Sequence, residues 1–210
     1  MVEVIPAILV KRREDLLERI ERVRGSVSSV HIDVMDNEFV PNKTVGLADF
    51  SDLPKGIDYE FHWMVKHPEQ WIAKVPGNHL HVVHIEAVED WNAIKAACKK
   101  AGGRLGVAIS PATSLAKLEP VLPDVSRVLV MSVVPGFDGQ KYIQQVETRI
   151  SELRHRFPKL EIEVDGGIGP ATAGRAHGAG ADKLAAASSI YAAPDAKAAI
   201  EDIRRAAKKK

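Results

Sequence analysis

Short apolar runs alternate with longer amphipathic segments along the chain, and this alternation predicts its secondary structure. Eight runs have the length and apolar character of buried strands, and most segments between them carry apolar residues at helical spacing. The predicted strands cover residues 2–9, 28–35, 58–65, 79–87, 104–109, 126–134, 159–165 and 182–187. Helical segments are predicted at 11–24, 68–75, 89–101, 114–122, 141–157, 170–179 and 195–209, whereas the long polar connection after the second strand has a poor helical pattern.

Strands that alternate with helical segments are typical of a parallel sheet, because each crossover returns the chain to the start of the next strand. Eight such units predict an α/β fold, a single-domain (β/α)8 TIM barrel over residues 1–210, since no linker or shift of composition divides the chain. A doubly wound open sheet is the alternative. It is disfavoured because Ile8, Leu9 and Val10 lead into the first helical segment without the glycines of a nucleotide-binding turn.

The second predicted strand runs into the segment HIDVMDNEFVPN, where one face of the strand is unusually polar. Successive strand residues point to opposite faces, so Ile32 and Val34 share one face and His31, Asp33 and Met35 share the other. If the apolar pair packs on the outer helices, the histidine and aspartate face the barrel interior. Burying ionisable groups without partners is costly, so they require a metal, a substrate or a salt bridge.

The third and seventh predicted strands repeat this arrangement. Alternation places His62 and Met64 inside the barrel on the third strand, and Glu163 and Asp165 inside it on the seventh. Asp165 is the last residue of its strand, where barrels of this class carry their active-site residues. Glu163 lies one layer deeper and needs a partner that the sequence does not name.

Two imidazoles and two carboxylates at one barrel mouth are a suitable donor set for Zn, Fe(II), Mn or Co. Each of the four taken singly has a structural explanation, but their convergence at strand ends favours a site. His84 and Glu86 are predicted to face inward on the fourth strand, either supporting the ligands or forming a structural hydrogen-bonded pair. Solvent exposure is expected for the histidines near element ends, His67, His79, His155 and His177.

Glycine-rich or small-residue segments follow the last three predicted strands: PGFDGQ, DGGIGP and AAASSIY. Glycine lets the backbone approach a ligand closely, and barrels of this class often bind phosphate with the loops after strands seven and eight. Tight turns are the alternative explanation for each glycine. Together the three segments favour a phosphate cradle.

Composition narrows the functional classes. Apolar residues make up 45% of the chain and charged residues 27%, and the net charge of +1 gives no basic field for nucleic acid. The single cysteine, Cys98, suits a reducing compartment. The first residues, MVEVIPAILV, lack a basic region or cleavage site, and no apolar run has membrane-spanning length. We therefore expect a cytoplasmic protein without nucleic-acid or membrane partners.

Several motifs resemble those of the ribulose-phosphate 3-epimerase family. HIDVMDNEFVPN resembles the family's H-x-D-x-M-D-G-x-F-V-P-N, and FHWMV its H-L-M-V. MSVVPGFDGQKY is similar to M-T-V-N-P-G-F-G-G-Q-K-F, and VDGGI to V-D-G-G-I. GVAISPATSLAKLEPVL follows the family's G-x-A-x-N-P-x-T-x-L segment, so the resemblance covers nearly the whole chain in order. It implies a TIM barrel of the ribulose-phosphate-binding type.

The resemblance also implies roles for particular residues. One divalent metal would be held by His31, Asp33, His62 and Asp165, and the two aspartates would double as the acid–base pair. The substrate would contact Met35, Met64, Met131, Gly136, Gly139, Gly166, Gly167 and Ser188. The implied reaction inverts C3 of a ketose phosphate, D-ribulose 5-phosphate to D-xylulose 5-phosphate, by two-base proton transfer through an enediolate.

The chain departs from the family mainly at positions expected to contact substrate. The altered residues are Ala7, Ser110, Val134, Asp138 and Ala187. A carboxylate at Asp138 would repel a bound phosphate, so we expect it to point away from the anion and phosphate binding to be weakened. An epimerase for a hexulose 6-phosphate and a non-catalytic barrel that binds phosphorylated metabolites remain alternatives, and the sequence leaves open a homo-oligomer.

Overall fold

The computed structural model describes residues 2–208, and in them eight parallel strands close into one barrel. Each strand pairs with the next along the chain, and the last pairs with the first. The strands are β1 (Glu3–Ile8), β2 (Ser29–Met35), β3 (Asp58–Met64), β4 (Leu80–His84), β5 (Arg104–Ile109), β6 (Arg127–Met131), β7 (Glu161–Asp165) and β8 (Lys183–Ala186). The predicted TIM-barrel class is confirmed.

The helices surround the barrel and vary greatly in length. They are α1 (Arg13–Val23), α2 (Pro68–Ile72), α3 (Trp91–Ala101), α4 (Val146–Arg156), α5 (Ala173–Gly178), α6 (Ser188–Tyr191) and α7 (Ala196–Ala207). Short 3₁₀ turns lie at Leu47–Phe50, Ile85–Ala87, Leu115–Lys117 and Leu122–Asp124. No helix within residues 2–208 combines the length and hydrophobicity needed to cross a bilayer.

Two predicted elements differ in kind from the structure, and one short helix was not predicted. The predicted helix 114–122 is two short 3₁₀ turns, because Pro120 and Pro123 remove backbone donors that a continuous helix needs. The predicted strand 79–87 ends at His84 and continues into a 3₁₀ turn. The four-residue helix α6 lies where the sequence showed only a run of small residues.

The main apolar core lies between the strands and the outer helices. Ile32 and Val34 of β2 belong to it, together with Phe61 and Trp63 of β3. Helix α1 contributes Leu16, Ile20 and Val23, whose spacing of four and three residues puts them on one face. The opposite faces of the strands therefore line the barrel interior, as the alternation predicted.

The barrel interior contains both charged and apolar side chains. Glu60, Glu163 and Arg127 form a buried charged cluster. Leu80, Val82, Ala108 and Leu129 form an apolar cluster. His62 and Asp165 lie nearer the carboxyl ends of the strands, at the mouth where the loops meet.

Candidate metal centre and active site

Four side chains converge at the carboxyl-terminal mouth of the barrel. His31 and Asp33 come from β2, His62 from β3 and Asp165 from the end of β7. One donor atom of each lies within 4.8 Å of the donor atoms of the other three. The four residues that the sequence nominated as metal ligands are therefore close in space, because adjacent strands in register place Asp33 beside His62.

The donor atoms of this cluster lie close to the spacing expected for ligands of a single ion. Asp33 Oδ1 lies 2.9 Å from His62 Nδ1 and 3.3 Å from His31 Nε2. His62 Nδ1 lies 3.9 Å from Asp165 Oδ2. Ligands on one tetrahedral ion, with bonds of about 2.0–2.2 Å, lie roughly 3.3–3.6 Å apart. The residues present therefore fit a divalent cation.

Burial and neighbouring charges push the pKa values of the two aspartates apart. Burial alone would raise the pKa of Asp33, but hydrogen bonds with His31 and His62 hold it well below its usual range. Burial, and then the negative charge of Asp33, raise the pKa of Asp165 to about 8. One carboxyl group is thus ionised at neutral pH while the other retains a proton, which a metal ion would displace.

His31 is held from below by a buried charge network. Its Nδ1 lies 2.6 Å from Glu60 Oε1 and 3.5 Å from Glu163 Oε1. Arg127 Nη1 donates to both carboxylates, at 2.7 Å in the case of Glu163. Burial opposes ionisation of Glu163, but the charge of Arg127 lowers its pKa to about 2. Arg127 is therefore the partner that Glu163 required.

Glu60, Glu163 and His31 also form a second group that could bind a metal by residue type alone. The guanidinium of Arg127 takes the place of a metal ion in this group, because it lies against the carboxylates of Glu60 and Glu163 and neutralises their charge. The network instead fixes the orientation of His31: Glu60 accepts the Nδ1 proton, and Nε2 is left facing Asp33.

His62 is held by a chain of two further residues. Its Nε2 lies 2.9 Å from Nε2 of His84, and His84 Nδ1 lies 3.2 Å from Glu86 Oε2. Glu86 Oε1 accepts the backbone N–H of Ser110 at 2.9 Å. The inward direction of His84 agrees with the prediction, but Glu86 lies in the 3₁₀ turn after β4 rather than in the strand.

A cavity opens above the four side chains. Its lining contains Asp33 and Asp165, the methionines and the loops after β6, β7 and β8; all eight residues nominated for substrate contact belong to it, namely Met35, Met64, Met131, Gly136, Gly139, Gly166, Gly167 and Ser188. Within residues 2–208, no Lys or Arg side chain lines this cavity. An anion bound there would depend on backbone N–H groups and hydroxyls.

Two glycines of the loop after β7 are required by the fold itself. Gly166 has φ of +113°, and a Cβ there would lie 2.5 Å from Val133 Cγ2. Gly167 has φ of +63°, and a Cβ there would lie 2.7 Å from the backbone nitrogen of Tyr142. Tight packing explains both glycines without a ligand, so their role in phosphate binding stays a prediction.

Two of the altered positions, Asp138 and Ala187, also line the cavity. Asp138 is exposed at its rim, and its Oδ1 accepts the backbone N–H of Gly139 at 2.6 Å. Its carboxylate thus uses an N–H of the predicted phosphate cradle. Val134 is exposed, and Ser110 contacts Glu86. That Asp138 turns away from a bound phosphate stays a prediction.

Sequence reasoning missed Arg127 and the buried His81. The alternation of side chains along the sixth strand could have predicted the position of Arg127, because it places Arg127 inside the barrel together with Leu129 and Met131. His81 faces outward on β4 and accepts the indole N–H of Trp63 at 3.2 Å. Of the four histidines expected to be exposed, only His155 is exposed; His67, His79 and His177 are half-buried.

The closed parallel barrel, with acids and imidazoles at the carboxyl ends of its strands, defines a TIM-barrel enzyme. The Ribulose-phosphate 3 epimerase family profile matches residues 3–191. The chain belongs to this family, as its motifs indicated, and it is an epimerase.

Named relatives cover almost the whole chain. The ribulose-phosphate 3-epimerase of Bacillus subtilis is 36% identical over 97% of this chain and 99% of its own. The cytoplasmic isoform from Oryza sativa subsp. japonica is 34% identical over 97% of this chain and 93% of its own. The solved 3-hexulose-6-phosphate synthase from Salmonella typhimurium covers 98% of both chains with a TM-score of 0.72 at 18% identity, which supports the fold alone.

Proposed function

We propose that the protein is a metal-dependent ribulose-phosphate 3-epimerase that interconverts D-ribulose 5-phosphate and D-xylulose 5-phosphate. The main support for this proposal is that Asp33 and Asp165 meet His31 and His62 at one barrel mouth. The names of the relatives supply the substrate.

Inversion of C3 removes a proton from one face of the substrate and returns one to the other face. This requires two acid–base groups that approach from different sides. β2 and β7, which carry Asp33 and Asp165, are separated around the barrel by β1 and β8. In the direction in which Asp33 takes the proton from C3, Asp165 would return one to the other face, and the roles exchange in reverse.

His31, Asp33, His62 and Asp165 would hold one divalent cation, Zn, Fe(II), Mn or Co, by the chemistry of their donor set. When bound, it supplies Lewis-acid stabilisation of the negative charge that develops on the substrate oxygens of the enediolate. Glu60 fixes the orientation of His31 for this purpose.

Three methionines would keep the reacting carbon in apolar surroundings. Met35 and Met64 pack together with Val40, and Met131 packs with Leu129 in the barrel interior. Thioethers are poor proton donors, so they would exclude water without offering competing protons to the intermediate.

The phosphate of the substrate would lie against the loops after β6, β7 and β8. Gly136, Gly139, Gly166, Gly167 and Ser188 would contribute backbone N–H groups and one hydroxyl, since no cation lines the cavity in residues 2–208. Two alternatives are turnover of another ketose phosphate, such as a hexulose 6-phosphate, and binding without turnover. The altered residues Asp138 and Ala187 favour these alternatives.

A turnover panel tests the proposal. Metal-analysed protein is assayed with ribulose 5-phosphate, a hexulose 6-phosphate and unphosphorylated ribulose, before and after chelator treatment. We expect the highest kcat/KM with ribulose 5-phosphate, about one divalent ion per chain, and loss of activity and thermal stability on chelation, with recovery when metal is returned. Full activity in protein that contains no metal would reject the metal requirement, and turnover of another ketose alone would reject the substrate.

We also propose that residues 1–210 act as one domain, in the cytoplasm, on a small sugar phosphate. Neither nucleic acid nor a membrane would be a partner, and size-exclusion chromatography with light scattering would decide whether the chain forms a homo-oligomer.

A further inference from the structure

The two neighbours of β2 do not accompany it to the same height. Its pairing with β1 ends at Ile8, which lies opposite Ile32, whereas its pairing with β3 continues to Met35. Residues two apart in a strand direct their backbone groups to the same edge. The buried N–H and C=O groups that Asp33 and Met35 present beyond the end of β1 therefore need partners from elsewhere.

Thr44, in the connection that follows β2, supplies these partners. Its Oγ1 donates to the carbonyl oxygen of Asp33 at 2.7 Å and accepts the backbone N–H of Met35 at 2.9 Å. Its own backbone N–H donates to the carbonyl oxygen of Met35 at 3.2 Å. Thr44 thus makes three hydrogen bonds with β2 and takes the place that β1 has lower on the strand.

Thr44 is itself buried and anchored. It is 6% exposed, and Asp33 and Met35 are 5% and 2% exposed, so little water can compete for their hydrogen bonds. The next residue, Val45, donates its N–H to the carbonyl oxygen of Val10 at 3.0 Å, just beyond the end of β1. Loss of the Thr44 hydroxyl would leave two buried backbone groups unpaired beside this anchor, which is costly.

We infer that Thr44 is a positioning residue whose hydroxyl sets Asp33 and Met35 in the reaction site by holding their backbone. The inference rests on the proposed function, in which Asp33 transfers a proton and binds the metal while Met35 lies against the substrate. The backbone of Asp33 is then fixed on one edge by β3 and on the other by Thr44. A reacting group displaced by about 1 Å can slow a reaction about 10²-fold, so this contact should act on the chemical step.

Two pairs of chains isolate the hydroxyl. Thr44→Val differs from the wild type by a methyl group in place of the hydroxyl, so the side chain can no longer bond to β2. Thr44→Ser keeps the hydroxyl and deletes the buried methyl group, which costs packing alone. Thr44→Ala then differs from Thr44→Ser by the oxygen only. Thr148→Val makes the first replacement at an exposed residue of α4 and is the matched control.

Three measurements on full-length protein test the inference: kinetics with ribulose 5-phosphate below each unfolding midpoint, Zn²⁺ affinity by chelator competition, and amide hydrogen exchange of metal-free protein by NMR. We expect Thr44→Val and Thr44→Ala to lower kcat and weaken Zn²⁺ binding by about 10–100-fold each. KM should change less, because other loops would hold the phosphate. Thr44→Ser and Thr148→Val should stay close to the wild type. The Met35 amide should exchange slowly wherever the hydroxyl is present, and faster where it is absent.

The outcomes separate this inference from a purely structural role and from the proposed function. Folded Thr44→Val with the kcat and Zn²⁺ affinity of the wild type overturns the inference, even if urea unfolding shows lost stability. A Met35 amide that exchanges as fast as exposed amides in the wild type overturns it without any variant. Neither result affects the epimerase assignment, which depends on turnover. A wild type that does not turn over ribulose 5-phosphate rejects that substrate, and Zn²⁺ affinity and Met35 exchange then decide the role of Thr44.

Discussion

Asp33 and Asp165 share one barrel mouth, yet the protein shifts their pKa values in opposite directions. Two imidazoles hydrogen-bond to Asp33 and lower its pKa, whereas Asp165 is raised to about 8 by burial and by the charge of Asp33. Two identical side chains therefore differ in protonation in the metal-free protein. Their positions on two non-adjacent strands, β2 and β7, suit proton transfer at both faces of one carbon.

Replacing either aspartate should slow epimerisation by orders of magnitude while leaving part of the chemistry. Asp33→Asn and Asp165→Asn should each lower kcat by about 10²–10⁴-fold, the usual contribution of a positioned acid or base. Each variant keeps one carboxylate, so it should still exchange the C3 proton of one epimer with solvent. Mass spectrometry of each epimer recovered from deuterated buffer measures this exchange.

Asp52→Asn is the matched control for these variants. Asp52 is exposed and has φ of +51°, which asparagine also tolerates. Its kcat should equal that of the wild type. Because both active-site aspartates are proposed ligands, metal content is measured for every variant, and equal turnover in a metal-loaded Asp165→Asn protein would contradict the two-base assignment.

Arg127 should be important for stability because it neutralises buried carboxylates. Arg127→Met would leave Glu60 and Glu163 without their cation in the barrel interior. Removing one partner of a buried ion pair typically costs about 3–5 kcal/mol, and urea unfolding should show a loss of that size. Glu163→Gln in the Arg127→Met background should recover part of it, since one uncompensated charge is removed.

Arg205→Met is the corresponding surface control. Arg205 pairs with Asp202 on α7, but its side chain is 72% exposed. Exposed pairs contribute little, so the urea midpoint should barely change. A loss for Arg127→Met no greater than that for Arg205→Met would show that the buried network does not stabilise the fold.

His81 should make the protein sensitive to acid. Burial, and then the charge of His79, lower the pKa of His81 to about 4, whereas an unfolded histidine titrates near 6.5. Between these values the unfolded chain binds a proton that the folded chain does not. The free energy of unfolding therefore falls as pH falls from about 6.5 to 4, by at most about 1.4 kcal/mol per pH unit from this residue.

His81→Gln removes this titration and retains an acceptor for Trp63. Urea unfolding at several pH values should give a shallower loss of stability in the variant than in the wild type. His155→Gln, which removes an exposed imidazole on α4, should keep the wild-type slope. Equal slopes for His81→Gln and wild type would contradict the assignment.

Asp138 should weaken phosphate binding by its charge and by occupying the N–H of Gly139. Asp138→Gly should lower KM for the ketose phosphate with a smaller change in kcat, since a remote phosphate is bound alike in ground and transition states. Asp138→Asn removes the charge and keeps the acceptor, so an intermediate KM is expected. An unchanged KM in both variants would mean that Asp138 does not act on the substrate.

The placement of the four nominated ligands could be predicted because it depends on local alternation. His31 and Asp33 face inward wherever Ile32 and Val34 pack on helices, and barrel closure then brings them near Asp165. No knowledge of side-chain packing is needed for this step.

The supporting contacts could not be predicted, because they depend on register and side-chain conformation. Glu86 contacts His84 because the chain leaves β4 in a 3₁₀ turn. The sequence predicted a strand at this point. Arg127 pairs with Glu60 across the barrel, 67 residues away, a contact that no local pattern encodes.

Proton exchange at C3 is the decisive measurement for the two-base mechanism. Wild-type protein supplied with its metal is incubated with ribulose 5-phosphate in D₂O, and ¹H and ²H NMR follow C3 of both epimers. We expect xylulose 5-phosphate that carries solvent deuterium at C3, because Asp33 removes the substrate proton and Asp165 delivers one from a different pool. Xylulose 5-phosphate that retains the original proton at C3, or no epimerised product at all, would contradict it.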